Sequence, residues 1–256
     1  MEPGAPAKWI CDLTRLTRQG YHESDARRLG ILPRRRGIES AMPLITGVME
    51  DYLKAIYRLQ QAHGPVATSE LAKELRVAPA TTTAMVQRLA RLKLVSYHRY
   101  RGLTLTAAGQ RIALEMIRHH RLIELYLAQH LGIGLDKVHG EAEKMEHVLS
   151  DDVELRMAAA LGNPTLDPHG DPIPSAEGTL RDIRYPDLTA FSPGETGVVA
   201  RVSDRDPAAL RRLTELGVLP GVRLKVLAQR SSGCRVEIEG RCVTLPRTLC
   251  GDVYIQ

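Results

Sequence analysis

SELAKELRVAPATTTAMVQRLARL, Ser69–Leu92, is the stretch on which the fold turns. It reads as a short helix capped by Thr68 or Ser69, a tight turn through Ala78, and a second helix. Pro79 fits the first turn of that second helix, where a missing N–H leaves no bond unmade. Upstream, Tyr52, Leu53, Ile56, Tyr57 and Leu59 recur at helical spacing from Glu50 to about Ala62, and Gly64–Pro65 ends that helix. Downstream, Val95–Thr106 is β-branched and aromatic around Gly102, which predicts a two-stranded wing. Helix, short helix, turn, helix and hairpin together make a winged helix-turn-helix.

Such a unit points to double-stranded DNA. From Thr81 to Gly102 there are five basic residues (Arg88, Arg91, Lys93, Arg99, Arg101) and no acid. That local strip says more than the net charge of +5 does, because phosphate neutralisation supplies most of the affinity of such proteins. The threonines at the start of the second helix offer hydroxyls and methyls to base edges. The candidate contacts are Thr68, Ser69, Pro79, Thr81, Thr82, Thr83, Gln87, Arg88, Arg99 and Arg101. The competing reading is a winged helix used as a protein-interaction module.

A second informative stretch is KVHGEAEKMEHVLSD, Lys137–Asp151. His139, Glu143, Glu146 and His147 fall at helical offsets of three and four, so they share one helix face. His120 and Glu124 make another such pair. Gathered carboxylates and imidazoles suit a divalent ion of the manganese, iron or zinc type. The alternative is a solvated acidic face with incidental histidines. The helix carrying the cluster is expected to run on to about Leu161, after a turn at Gly132–Gly134.

Residues from about 163 to 190 are rich in proline and read as a linker. Phe191–Gln256 holds short alternating strands with a helical insert, PAALRRLTELG, which predicts a small β-barrel. Three cysteines there (Cys234, Cys242, Cys250) and Cys11 form no CxxC pair, so buried small hydrophobes are the default reading over zinc ligands or disulfides. With no long apolar run and no signal-peptide core, the expected location is cytoplasmic, with no membrane partner. Residues 1–41, with Arg34–Arg36, look unlike the rest and read as a start-site artefact or a disordered basic arm.

With these parts in this order, the chain resembles the diphtheria-toxin-repressor family of metal-dependent transcriptional regulators, over about Thr46–Gln256. The motifs are MEDYLKAIY (Met49–Tyr57), HHRLIELYL (His119–Leu127), KVHGEAEKMEHVLSDDVE (Lys137–Glu154) and DPHGDPIP (Asp167–Pro174). The resemblance implies a mainly α fold with β. A leader (1–41) precedes a winged helix-turn-helix (42–106) and a helical metal-binding and dimerisation domain (107–162). A Pro-rich linker (163–190) then joins an SH3-like, FeoA-like domain (191–256). It implies a primary metal site of Asp51, Glu143, Glu146 and His147, and an ancillary site of His120, Glu124 and His139. Asp204 or Asp206 of the barrel is a weaker ancillary ligand by alignment, whereas Arg201 is not one.

Iron-sensing members of the family carry Met and Cys at the positions of Asp51 and Glu143. Carboxylates there instead resemble the manganese branch, so Mn(II) is the expected cofactor and Fe(II) the alternative. That branch typically lacks the C-terminal domain and has Glu where this chain has Lys54, which cannot be a ligand. The implied function is a homodimeric repressor of metal-uptake genes acting on a palindromic operator. A metallohydrolase is the rival, weakened by the lack of an HExxH motif or a nucleophile. A peptide-binding role for the barrel is weakened by its scarcity of aromatics.

Overall fold

A computed structural model describes residues 45–98 and 101–256. The leader readings, Cys11 and Arg34–Arg36 among them, and the proposed contact Arg99 lie outside the described residues.

The first unit is built from α1 (Gly47–His63), α2 (Thr68–Glu74), α3 (Pro79–Arg91), β1 (Val95–His98) and β2 (Gly102–Leu105). Met49, Leu53 and Ile56 of α1 pack with Leu71, Val86 and Leu89 of the next two helices and with Leu103 of the wing. The wing is antiparallel, with Val95 opposite Leu105. Val66 extends it, exchanging two backbone hydrogen bonds of 2.9 Å with Leu103. Gly102 makes this possible, since its φ is +85° and a Cβ there would lie 2.8 Å from the Val66 carbonyl oxygen. One expected detail differs. Neither Thr68 nor Ser69 caps α2; the capping position is Ala67, and the Glu70 carboxylate accepts its N–H at 3.1 Å.

α4 (Ala107–Leu131) starts on the Thr106 side chain, which accepts from the Gly109 N–H, and ends at left-handed Gly132. Ala113, Leu114 and Ile117 bury its first half in the winged-helix core, so the first unit and α4 share one hydrophobic interior. Its second half packs through Ile123 and Leu127 on Val138 and Ala142 of α5 (Leu135–Met145).

Here the sequence reading needs correction. The helix expected from Leu135 does not continue to Leu161. The helix with His139 and Glu143 stops at Met145, makes a single 3-10 turn over Glu146–Val148, goes extended at Leu149, and restarts as α6 (Asp151–Ala160). The restart is local chemistry. Ser150 accepts from the Val153 N–H, and Asp151, Asp152 and Glu154 sit in the first turn, where the helix dipole favours anions.

The Pro-rich segment is more than a tether. Asp167, His169 and Ile173 are buried, and Ile173 packs on Leu122 and Leu125 of α4. The barrel is a five-stranded antiparallel sheet in the order β6-β5-β4-β3-β7, formed by β3 (Thr196–Val202), β4 (Arg223–Arg230), β5 (Gly233–Ile238), β6 (Arg241–Pro246) and β7 (Val253–Ile255). α7 (Pro207–Leu216) is the helical insert and the short α8 (Arg247–Cys250) precedes β7. Cys234 and Cys250 are buried in its core, as the small-hydrophobe reading expects, whereas Cys242 on β6 is exposed and departs from it.

Gly170 seats the 167–173 loop against β3. Its φ is +92° and a Cβ would stand 2.1 Å from the Ala200 carbonyl oxygen. Gly170→Ala is expected to destabilise the protein by more than about 1 kcal/mol in chemical denaturation. Gly178→Ala, also at positive φ (+75°) but with open space around it, should cost less.

Candidate metal centre

Among the described residues, three groups of ligand-type side chains come together, each with one potential ligand atom per residue within 4.8 Å of the others. The first is Asp51, Glu146 and His147. Asp51 lies in α1, while Glu146 and His147 occupy the 3-10 turn, so the group spans the reader and the metal region. His147 Nε2 is 3.1 Å from Asp51 and 3.6 Å from Glu146, and its Nδ1 is 2.7 Å from Glu50. Gly47 leaves room for this ring: a Cβ there would be 3.0 Å from it.

Glu146 is the most constrained member. It is 1% exposed, with Oε2 bonded to His120 Nδ1 at 2.5 Å and Oε1 bonded to the Lys54 ammonium. Its backbone carbonyl lies 3.2 Å from His119 Nδ1, and the other nitrogen of that ring reaches Glu154 at 3.1 Å. Burial alone would raise the Glu146 pKa, but the His120 bond and the Lys54 charge win and hold it low.

The second group is His120, Glu124 and His139. Glu124 Oε1 meets His120 Nε2 at 2.9 Å and His139 Nδ1 at 3.1 Å. His120 therefore touches both groups, one ring nitrogen in each. Asp204 of the barrel approaches His139 at 3.8 Å, whereas Asp206 is occupied as the α7 cap. Arg201 pairs with Asp171 at 2.9 Å and stands over the Tyr254 ring.

The third group, Glu124, Asp167 and His169, did not come from the sequence reading. His169 is fully buried and its Nδ1 has no hydrogen-bond partner, yet it lies 3.8 Å from Glu124 Oε2. An orphaned buried imidazole nitrogen facing a carboxylate at more than hydrogen-bonding distance fits a shared cation. Burial, followed by the charges of Asp171 and Glu124, pushes the Asp167 carboxyl well above the usual range.

Glu143 stands outside the first group. Its side chain is 56% exposed and lies 3.4 Å from His139. The break at Met145 explains this, because Glu146 and His147 leave the helical face that Glu143 occupies.

On the reader, Ser69, Pro79, Thr81, Gln87, Arg88 and Arg101 are exposed and Thr68 and Thr83 half-buried. Thr82 is corrected: at 0% exposure it packs into the core and no base edge can reach it. The Thr83 hydroxyl donates to the Pro79 carbonyl at 2.9 Å.

Comparison with known proteins assigns the three regions to domain families. Residues 45–103 match the family described as "Iron dependent repressor, N-terminal DNA binding domain", and 106–175 its "metal binding and dimerisation domain". Residues 187–256 match the FeoA domain. The iron-dependent repressor IdeR of Mycobacterium tuberculosis is 33% identical over 221 residues, covering 81% of this chain and 96% of its own. The chain belongs to the diphtheria-toxin-repressor family. A solved "Manganese-dependent transcriptional repressor complex with manganese" is 39% identical with a TM-score of 0.74, covering 81% of this chain and 98% of that one. The manganese regulator SloR is 29% identical with a TM-score of 0.65, covering 81% of this chain and 97% of that one.

The chain is thus a metal-dependent, DNA-binding repressor with a dimerisation domain, and its family is one of regulators, not enzymes. Among the described residues no helix is long and apolar enough to cross a membrane. The expectation that manganese members typically lack the C-terminal domain meets an exception. A manganese-dependent repressor matches this chain over 81% of its length, more than the two N-terminal domains supply.

Glu50, His119, Asp167 and His169 are the participants that sequence reasoning did not place, and for Lys54, read as a cation that cannot be a ligand, it did not foresee the contact with Glu146. The signals were present: the adjacent His119–His120 pair, a lysine on the buried face of α1, and the histidine of DPHG.

Burial lowers the pKa of His119 and of His120, but carboxylate hydrogen bonds outweigh it, from Glu154 for His119 and from Glu124 and Glu146 for His120; both pKa values stand above 6.5. Because the folded values exceed the unfolded ones, this stabilisation is full below about pH 6.5 and is lost as pH rises through the folded values. With chelator present, the melting midpoint is expected to fall from pH 6.5 towards 8.5. With saturating Mn(II) it should hold or rise, since metal needs neutral imidazole.

Proposed function

We propose that this protein is a manganese-responsive repressor of metal-uptake genes, acting as a homodimer on a palindromic operator. The observation that carries the manganese assignment is the donor set. Asp51, Glu146 and His147 offer only oxygen and nitrogen, and Glu143, 3.4 Å from His139, adds another carboxylate to the region. Among the described residues the cysteines all lie in the barrel. Hard oxygen donors suit Mn(II), and without sulfur the site gives up an advantage for later metals. Fe(II) is the second reading, favoured by the resemblance to IdeR.

A bound divalent ion supplies the positive charge that lets these carboxylates stand together. The protein's own residues do the rest. Asp51 belongs to the reader through α1; Glu146 and His147 belong to the turn that α4 grips through His119 and His120. Joining them fixes α1, and with it α3, relative to α4. In a dimer that sets the spacing and angle of two recognition helices, which must match half-sites about 34 Å apart. Met145, Val148 and Val153 are exposed apolar residues within the dimerisation domain, available to a second copy. The exposed Arg88 and Arg101 supply phosphate contacts, with Thr81 and Gln87 at the groove.

His147→Ala is expected to abolish Mn(II)-dependent operator binding in a mobility shift while leaving the fold and dimer intact. In anaerobic titrations of wild-type protein, Mn(II) should activate binding within its cellular range; activation by Fe(II) alone would favour the second reading. Arg88→Ala should weaken binding across sequences and reduce the slope of log affinity against log salt by about 1.

A further inference from the structure

Lys54 is 6% exposed, a rare environment for an ammonium group. It lies one turn after Asp51 on α1, and its Nζ meets Glu146 Oε1. The same oxygen is 3.6 Å from His147 Nε2, so it faces the first ligand group. The other oxygen, Oε2, is held by His120 Nδ1 at 2.5 Å. Each oxygen of this carboxylate therefore already has a positively charged or N–H partner.

Resting on the metal-site reading above, we infer that Lys54 is a tethered competitor for Glu146 and so a determinant of the metal threshold. The ammonium does two things an incoming ion would do. It neutralises a buried carboxylate, and it ties α1 to the 3-10 turn. A divalent ion sharing Glu146 must either displace that ammonium or accept a like charge beside it. Lys54 also fixes the charge of the site. Against Glu50, Asp51 and Glu146 it leaves a net charge near −2 when the imidazoles are neutral, which one divalent ion balances. A second ion would leave an uncompensated positive charge. Lys54 thus favours single occupancy of this group and raises the ion concentration at which it fills.

A purely structural buried ion pair makes a different prediction. Removing its lysine would lower stability equally with and without metal. Removing a competitor leaves Glu146 buried with less compensation in the metal-free protein alone, because the ion compensates it in the loaded one.

The test uses the full chain and Mn(II) itself, with Lys54→Met, Lys54→Arg and His147→Ala beside wild type. Affinity and stoichiometry are read by calorimetry and by loss of the free Mn(II) paramagnetic resonance signal; melting is read in chelator and in Mn(II). Lys54→Met is expected to bind Mn(II) at the His147-dependent site about tenfold more tightly. It should also melt lower in chelator and show a larger Mn(II)-induced rise. Lys54→Arg keeps the charge and should stay within about threefold of wild type. If Lys54→Met fails to fold, Lys54→Gln takes its place, keeping a hydrogen-bond donor without the charge. Unchanged or weaker Mn(II) affinity in the neutral variant, or equal melting losses in both conditions, overturns the competitor role while the metal-site reading stands. If wild type takes up no Mn(II) and His147→Ala alters nothing, both fall.

Discussion

Glu146 is the constraint on which the rest depends. A carboxylate that is 1% exposed cannot stay charged without compensation, and this one is compensated from three elements: Lys54 of α1, His120 of α4, and His147 beside it. Its own backbone is held by His119. Charge balance at one side chain thereby adds to the shared apolar core a polar link between the DNA-binding unit and the helical scaffold. Any cation that joins Glu146 to Asp51 strengthens a contact the fold has already prepared.

The second centre extends the same logic toward the barrel. Glu124 collects His120, His139 and His169, and Asp204 closes on His139 from beyond β3. His120 belongs to both centres. A metal on one ring nitrogen would fix the proton on the other, which is already bonded to Glu146. The DPHG loop completes the enclosure, since the His169 carbonyl accepts from the Val202 N–H of β3 at 2.9 Å. The three regions of the chain are thus knit by titratable groups as well as by apolar packing.

Much of this was legible in the sequence. Helical spacing, Pro79 and Gly102 fix the winged unit because they report backbone conformations few other residues adopt. The barrel strands followed from alternation. Spacing failed where a helix breaks: the i,i+3 pattern through Glu143, Glu146 and His147 reads as one face, but a Ser150 cap competes with the helix and turns the last two residues away. The buried Thr82 shows the same limit, since three consecutive threonines cannot share one face. The partner of Lys54 and the role of His169 stayed hidden because only tertiary contact shows what a buried charge or an orphaned nitrogen faces.

Coupling between metal and operator in such systems is typically about 1–3 kcal/mol, which is roughly 5- to 150-fold in affinity. The decisive measurement is the dissociation constant of wild-type protein for its operator, at fixed salt, in strong chelator and again in excess Mn(II). A loss of affinity within or beyond that range in chelator is the result this account requires. Equal affinity in both conditions would contradict it, because the reader would then need no ion to hold its position.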